Sequence, residues 1–379
     1  MFEETRPYND SEIPAAIARV ASNPFFETLV RYLFPDTSVE AFRQEFLRIT
    51  TIDEFQEKVM LKALRSIVQR TCTDFTWEGF NLLDANHRYT FIANHRDILL
   101  DAALLQVILN KNHLRTSEIT FGSNLMRGDL VIDIGKMNKM FRIERGGTVH
   151  SFYRSSMEVS SYMRYALLEK GESTWIAQRN GRTKDGRDLT ESAVLKMFSI
   201  SSPKPFVENL AELNITPVAI SYEYEPCDAL KARELALSEN GQHYQKYPGE
   251  DFDSIKQGIF GQKGKISLVI GTPLDEALNT VPADINNNDK LLHICKLIDE
   301  QIYKNYKLYA TNYIAHDLMC GDNAYSSFYT PEEKEAFVAY LQKKAVVRDV
   351  PAEKMMQYLL HIYGTPVDTH YGTPITPIS

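Results

Sequence analysis

The stretch Tyr89-Thr-Phe-Ile-Ala-Asn-His95-Arg96-Asp97-Ile-Leu-Leu-Asp101-Ala-Ala-Leu-Leu decides the fold of this chain. Its β-branched and aromatic start predicts a short strand, and its apolar end predicts a helix. Between them lies a polar turn with a histidine and two carboxylates. Loops at the carboxyl end of a strand line the crevice of an α/β sheet, so His95 is well placed for chemistry. A nearby carboxylate, Asp101 or Asp97, can orient its imidazole as a general base.

Two other interpretations of this stretch compete with a catalytic one. His95-Arg96-Asp97 matches the start of the protein-kinase catalytic loop, but that pattern needs an asparagine where Ala102 stands. No Asp-Phe-Gly follows and no glycine-rich loop precedes it, so we reject a kinase. In the other interpretation, Asp97 or Asp101 only caps a helix and His95 has no chemical role. The stretch alone leaves that alternative open.

Composition and charge limit the classes of protein that fit. The chain has 379 residues, 44% hydrophobic and 24% charged, as in an ordinary globular protein. Its net charge of −8 argues against a nucleic-acid-binding protein, so an anionic ligand would need a local basic cluster.

The four cysteines form no C-x-x-C pair, which favours a reducing cytoplasm. The N-terminus lacks the pattern of a secretory signal, and no apolar run predicts a transmembrane helix, so we expect at most peripheral membrane contact.

The chain divides into three regions by pattern. Residues 1–74 read as an N-terminal helical region, 75–275 as an α/β domain, and 276–379 as a C-terminal helical region with an irregular tail. The predicted strands are 89–93, 119–121, 141–145, 174–177, 216–222 and 265–270. Their alternation with helices predicts an α/β fold with a mixed, largely parallel sheet flanked by helices. The repeated Tyr-Gly-Thr-Pro at 363 and 371 indicates the irregular tail.

A basic cluster follows the predicted strand at 174–177. In Trp175-Ile-Ala-Gln-Arg179-Asn-Gly-Arg182-Thr-Lys184-Asp-Gly-Arg187, four cations fall within nine residues around two glycines. Such clustering of one sign is unusual in an acidic chain, although a solvated loop could also carry it. The cluster is a candidate anion-binding loop.

Two further blocks lie at the edges of predicted strands. Phe-Arg-Ile-Glu-Arg145-Gly-Gly brings a guanidinium and flexible backbone together, a combination that suits an anion. The pattern of Ile-Thr-Pro217-Val-Ala-Ile-Ser-Tyr, apolar with an early proline, predicts a strand and indicates no further role.

In chain order, the blocks Asn-His-Arg…Asp, Phe-x-Ile-x-Arg, Gly-Arg-Thr-Lys and Pro-Val-x-Ile-Ser-Tyr resemble the four motifs of the glycerolipid acyltransferases. That family includes glycerol-3-phosphate and lysophosphatidic acid acyltransferases, and the resemblance covers residues 75 to 275. The family's first aspartate would fall on Leu100, so Asp101 is the favoured match and Asp97 the alternative. Asn180 stands where the family usually has a glutamate.

The resemblance implies an acyltransferase of membrane lipid synthesis. His95, held by Asp101 or Asp97, would activate a hydroxyl of glycerol 3-phosphate or a lysophospholipid, which attacks the thioester of acyl-CoA or an acyl carrier protein. No cofactor or metal is required. The implied substrate-binding residues are Arg145 and Arg182, with Arg179 and Lys184 as further candidates, and the motif residues Gly181, Thr183 and Pro217. The expected location is the cytoplasmic face of a membrane.

Two alternatives remain at this point. The altered third motif could suit an acceptor without a phosphate, such as a lyso-amino-acid lipid. The chain could also be a non-catalytic protein that binds lipid or an acyl carrier, although a scaffold that only binds has no need of a base.

Overall fold

The computed structural model describes residues 2–126, 128–144, 149–239 and 244–377. Seven strands form one sheet in the order β1-β7-β6-β2-β5-β3-β4. All neighbouring pairs are parallel except β6 and β7, which are antiparallel. The strands are β1 (Cys72–Glu78), β2 (Thr90–Ala93), β3 (Glu118–Gly122), β4 (Met140–Ile143), β5 (Thr174–Ala177), β6 (Ile215–Tyr222) and β7 (Gly264–Ile270).

Helices precede, interrupt and follow the strands. The α-helices are α1 (Ile13–Ala21), α2 (Phe26–Leu33), α3 (Val39–Phe46), α4 (Ile52–Phe55), α5 (Leu61–Thr71), α6 (Leu100–Lys111), α7 (Asp129–Met137), α8 (Val149–Arg164), α9 (Ser192–Ser199), α10 (Phe206–Ala211), α11 (Asp228–Leu237), α12 (Glu250–Phe260), α13 (Asn287–Asn305), α14 (Ala310–Cys320), α15 (Pro331–Lys344) and α16 (Ala352–Tyr371). The segments Gln56–Met60 and Tyr165–Lys170 are π-helical, and 3₁₀ turns span Asp10–Glu12, Phe80–Leu82, Ala277–Thr280 and Ser326–Phe328.

Both faces of the sheet are covered by helices, as an apolar, largely parallel sheet requires. Helices α5 and α6 pack on one face, with β2 contributing Phe91 to that core. Helices α8, α9, α10 and α13 pack on the other face around Ile92 and Ile176. Helices α1 to α4 and helices α14 to α16 build separate apolar clusters at the two ends of the chain. The expected fold class, an α/β fold with helical N-terminal and C-terminal additions, is therefore confirmed.

Strand β1 was not predicted from the sequence. It pairs in parallel with β7 at the edge of the sheet, and the helical N-terminal region ends at Thr71. Phe75 and Trp77 alternate with polar residues and pack on the core, which was the available signal. The alternation is short and follows a helix without a turn residue, so tertiary pairing is what defines it.

The first Tyr-Gly-Thr-Pro copy lies inside α16, so the prediction of an irregular segment from residue 363 was wrong. Gly364 packs on the backbone of α14, where an added Cβ would lie 3.2 Å from the Cα of His316. This close helix contact overrides the local effect of Pro366. The second copy does end the helix, since Gly372 takes a left-handed φ of 68°.

Within the described ranges, no helix is long and apolar enough to cross a membrane.

Candidate active site

The loop after β2 is built by Asn94, which is fully buried. Its side chain continues the ladder between β2 and β6, because Oδ1 accepts from the Ile220 N–H at 2.8 Å and Nδ2 donates to the Ile220 carbonyl at 2.9 Å. Nδ2 also donates to Asp188 at 3.0 Å. The chain therefore leaves β2 in a fixed direction, and the next residue is His95.

The imidazole of His95 is held by Asp101, in the first turn of α6. Nδ1 lies 2.9 Å from Oδ2 of Asp101, and His95 is 8% exposed. The same oxygen accepts the N–H groups of Arg96 at 2.6 Å and Asp97 at 2.9 Å, while Oδ1 accepts the Tyr222 hydroxyl at 2.7 Å. Asp101 is thus fixed in orientation. Since Nδ1 donates to it, the unprotonated Nε2 of His95, which has no hydrogen-bond partner among the described residues, can accept a proton.

Asp97, the alternative partner, serves the helix start instead. Its Oδ1 accepts the N–H groups of Leu99 at 2.9 Å and Leu100 at 2.8 Å, which caps α6. Its Oδ2 is buried without a hydrogen-bond partner in the described structure. Burial, and then the charge of Asp101, raise the pKa of Asp97 above its ordinary value. A Cβ on Gly258 of α12 would lie 2.1 Å from this Oδ2, so only glycine allows the helix to pack there.

Arg96, between these residues, is buried at 1% exposure and points into the protein. Its guanidinium donates to Asp188 at 2.6 and 3.2 Å and to Glu225 at 3.1 Å. Lys231 of α11 donates to the Arg96 carbonyl at 2.7 Å and to Glu225 at 2.5 Å. The ring of Tyr306 lies 5.2 Å from the guanidinium carbon. Two buried cations and two buried carboxylates thus hold in place the loop after β2 that carries His95, which we call the histidine loop. This ion network was not predicted from the sequence.

The basic loop after β5 is joined to the histidine loop by Thr183. Its backbone N–H donates to the His95 carbonyl at 2.7 Å, and its hydroxyl donates to Asp188 at 2.6 Å. Thr183 is fully buried, so its contacts are structural ones. Gly181, two residues earlier, has a φ of +81°, a left-handed conformation that glycine adopts without strain.

These two loops border one cleft, which we call the His95 cleft. It encloses about 780 Å³ of empty space, its open mouth included. His95, Gly181, Arg182 and Lys184 line its polar side. Its apolar lining comprises Ile98, Leu99, Ala102, Ile119, Phe121, Leu125, Met140, Trp175 and Ala177. The cleft therefore combines a histidine, cations and an apolar wall.

Arg182 has unused hydrogen-bonding capacity in this cleft. Its Nη2 lies 3.3 Å from the Ser254 hydroxyl, and its Nη1 is buried without a partner in the described structure. No carboxylate of the described residues lies within ion-pair distance. Lys184, in contrast, is paired with Glu234 of α11. Of these two predicted cations, Arg182 is the one available for an anion.

The structure separates other predicted residues from the His95 cleft. Arg179 lines a second cavity with Ile176 and Glu191, and its Nε lies 3.9 Å from Glu191. Pro217 is buried in β6 opposite Ile92, and its carbonyl accepts the Gly271 N–H at 2.8 Å. Neither of them lines the His95 cleft. Arg145 lies outside the described residues.

Three cleft residues escaped the sequence interpretation. The Trp175 ring meets the His95 ring edge-on at 5.8 Å, and its buried Nε1 has no partner in the described structure. Lys246 and Asp251, paired at 2.6 Å, come from the segment around α12. Trp175 follows the pattern of a buried strand, and the other two lie about 150 residues from His95, so only the fold brings them together.

Within the described ranges, no group of three or more His, Cys, Asp or Glu side chains is arranged to hold a metal ion.

Comparisons with known proteins find similarity to solved structures. No protein-family model matches the chain, and no curated protein matches its sequence. The crystal structure of the 1-acyl-sn-glycerophosphate (LPA) acyltransferase PlsC from Thermotoga maritima is similar at a TM-score of 0.37 and 14% identity. The match covers 75% of this chain and 92% of that chain.

The ion network predicts a large effect of Asp188→Ala. The substitution leaves the buried Arg96 without its nearest carboxylate, and breaking a buried ion pair on one side costs about 3–5 kcal/mol. We expect the free energy of unfolding in urea to fall by this amount. Asp185→Ala, in the same loop but outside the network, should change it by less than about 0.5 kcal/mol. Equal effects of the two substitutions would show that the network does not stabilise the loop.

The buried carboxyl group of Asp299, which binds Thr190 at the end of the basic loop, predicts that stability depends on pH. Asp299 of α13 accepts the Thr190 N–H at 2.8 Å and hydroxyl at 2.6 Å, and burial raises its pKa to about 6. The folded state then binds more protons than the unfolded state between about pH 4 and pH 6, so stability falls as pH rises through this window. Relative to Asp299→Asn, the free energy of unfolding of the wild type should fall by up to about 3 kcal/mol between these two pH values. Urea unfolding at each pH measures this difference, and Glu300→Gln should track the wild type.

Proposed function

We propose that this protein is an O-acyltransferase that moves an acyl chain from a thioester to a hydroxyl group, with His95 as the general base. The observation that carries the proposal is the His95–Asp101 pair in a cleft shared with Arg182 and an apolar wall. A base, an anion site and an apolar surface are what the acylation of an anionic acceptor requires.

The proposed reaction is direct transfer. The Nδ1–H of His95 donates to Asp101, so Nε2 takes the proton of the acceptor hydroxyl as that oxygen attacks the thioester carbonyl. The tetrahedral intermediate then collapses by breaking the carbon–sulfur bond. The thiolate leaves and takes the proton back from the imidazolium, so charge and atoms balance. Asp101 stabilises the imidazolium in between, a role that its fixed orientation supports.

Arg182 supports an acceptor with an anionic group. Its unpartnered Nη1 and its position beside His95 suit a phosphate or carboxylate, since a guanidinium can bind either with two hydrogen bonds. Glycerol 3-phosphate and lysophospholipids carry such a group close to the hydroxyl. Acyl-CoA or an acyl carrier protein would deliver the thioester, with its chain against the apolar wall.

A second acceptor class is favoured by one observation. Lys184 is occupied by Glu234, so within the described residues Arg182 is the cleft cation without a carboxylate partner on the loop after β5. A single guanidinium can bind the single charge of a carboxylate as readily as it binds a phosphate. A lyso-amino-acid lipid is therefore the alternative acceptor, and binding of a lipid without transfer is the outcome that would exclude both.

We also propose that the protein works at the cytoplasmic face of a membrane. Tyr247 and Phe252, on the segment that borders the mouth of the His95 cleft, are 41% and 63% exposed. Exposed aromatic side chains suit the boundary between headgroups and acyl chains. Their position supports entry of a lipid acceptor from that side.

The proposed base predicts the effect of His95→Ala. Loss of the imidazole should lower kcat by about 10²–10⁴-fold, the usual contribution of a general base. The measurement is transfer from radiolabelled acyl-CoA to glycerol 3-phosphate or a lysolipid, after which the lipids are separated. Asp101→Asn should impair kcat as well, whereas Asp97→Asn, which keeps the cap of α6, should retain most activity. Full activity of folded His95→Ala protein would remove the base assignment.

The proposed anion site predicts a difference between two arginines of one loop. Arg182→Gln should raise the KM for an anionic acceptor at least about tenfold, equal to about 1.4 kcal/mol, with a smaller effect on kcat. Arg179→Gln removes the same charge in the neighbouring cavity and should leave this KM unchanged. An acceptor KM that responds to Arg179→Gln and not to Arg182→Gln would place the anion elsewhere.

A further inference from the structure

A third cavity lies along α12 and shares no lining residue with the His95 cleft or with the cavity beside Arg179. It borders the start of β7, and β7 starts beside the carboxyl end of β6, at the same edge of the sheet as His95. It encloses about 1170 Å³ of empty space, its open mouth included. Gly258 of α12 lines it, while Ser254 of the same helix contacts Arg182 in the His95 cleft. We call it the Lys263 pocket.

The charge of this pocket is positive. Lys263 is 2% exposed, and its Nζ donates to the Gly261 carbonyl at 2.6 Å. No carboxylate of the described residues lies within ion-pair distance of it, although the charge of Asp97 acts on it from farther away. Lys343 and Lys344 line the pocket from α15, and Lys344 is paired with Asp228 at 3.0 Å. Among the described residues, no carboxylate is therefore placed to neutralise Lys263 or Lys343.

Glu225 also lines the pocket, but it does not neutralise these lysines. Its Oε2 accepts from Arg96 at 3.1 Å and its Oε1 from Lys231 at 2.5 Å. A buried ammonium without a counter-charge is costly, and an anion in the pocket would offset that cost. In a chain with a net charge of −8, this local excess of positive charge points to an anionic ligand.

The mouth of the pocket is apolar. Phe260 at the end of α12 is 52% exposed, and Val346 after α15 is 76% exposed. The Phe260 ring is supported by Tyr32 at 4.4 Å, so it is held in place on the pocket rim. Val347 completes this edge. Apolar side chains around a cationic interior match a ligand with a charged head and an apolar tail.

We infer that the Lys263 pocket binds an amphiphilic anion, a phosphate or carboxylate with an alkyl chain, whose head meets Lys263 and Lys343 while its chain lies against Phe260 and Val346. The site is distinct from the His95 cleft, because the two cavities share no lining residue. The inference does not depend on the proposed acyl transfer.

The experiment is calorimetric titration of the full chain with decyl phosphate below its micelle concentration. Lys343→Gln and Lys263→Gln should each weaken binding about tenfold, equal to about 1.4 kcal/mol. Lys343 is exposed, so its substitution tests the site even if Lys263→Gln lowers stability. Lys334→Gln, on the same helix but outside the pocket, is the matched control and should bind like the wild type.

Further ligands separate the head from the chain. Decanoate should compete with decyl phosphate, inorganic phosphate should compete only weakly, and neutral decyl maltoside should not compete. Val346→Asn, at an exposed position, removes the apolar side chain without adding charge, so it should weaken decyl phosphate and leave the affinity for inorganic phosphate unchanged. Competition by inorganic phosphate as strong as that by decyl phosphate would overturn the amphiphile and leave a phosphate site.

The outcome also separates this pocket from the His95 cleft. Arg182→Gln should leave one decyl phosphate bound with its affinity still sensitive to Lys343→Gln. Binding that is lost in Arg182→Gln and unaffected by both lysine substitutions would overturn the inference without touching the proposed acyl transfer. Absence of any binding to the wild type would overturn it as well.

Discussion

The site depends on a buried guanidinium. Arg96 leaves the histidine loop in the direction opposite to His95 and is neutralised by Asp188 and Glu225. Each carboxylate belongs to a loop at the carboxyl edge of the sheet, after β5 and after β6. Burying such charges is expensive, and the gain is recovered only when every partner is in place. The network therefore joins three loops in one arrangement, and the positions of His95 and Arg182 follow from it.

Two arginines of these loops, Arg96 and Arg182, differ in their hydrogen bonding. Arg96 has its hydrogen bonds satisfied inside the protein, whereas Arg182 keeps an unpartnered Nη1 beside the cleft. Arg96 thereby stabilises the loops, and the ligand binding that we propose falls to Arg182. Thr183, which hydrogen-bonds both the histidine loop and Asp188, keeps the two arginines in fixed relation. A loop that is rigid on its inner side can hold an unpaired cation at its outer side.

Local pattern predicted much of the fold because strands β2 to β7 are apolar segments between turns, and their hydrophobic pattern is visible residue by residue. It also identified the strand, turn and helix around His95 and the glycine before Arg182. It missed β1, whose alternation is short, and it misjudged the first half of the tail, where Gly364 packs on α14. The pattern could not show that Arg182 lines the His95 cleft while Arg179 lines a different cavity, because a pattern of charges does not indicate on which side of the sheet a loop residue lies.

The sequence by itself determined that a histidine with nearby carboxylates follows a buried strand, and that a basic loop follows another. Both conclusions rest on interactions within a few residues. Only the tertiary structure decided that Asp101 orients the imidazole while Asp97 caps the helix, and that Glu234 occupies Lys184. Such choices depend on distances between segments far apart in the chain. Those distances are set by the packing of the whole sheet, which local pattern does not contain.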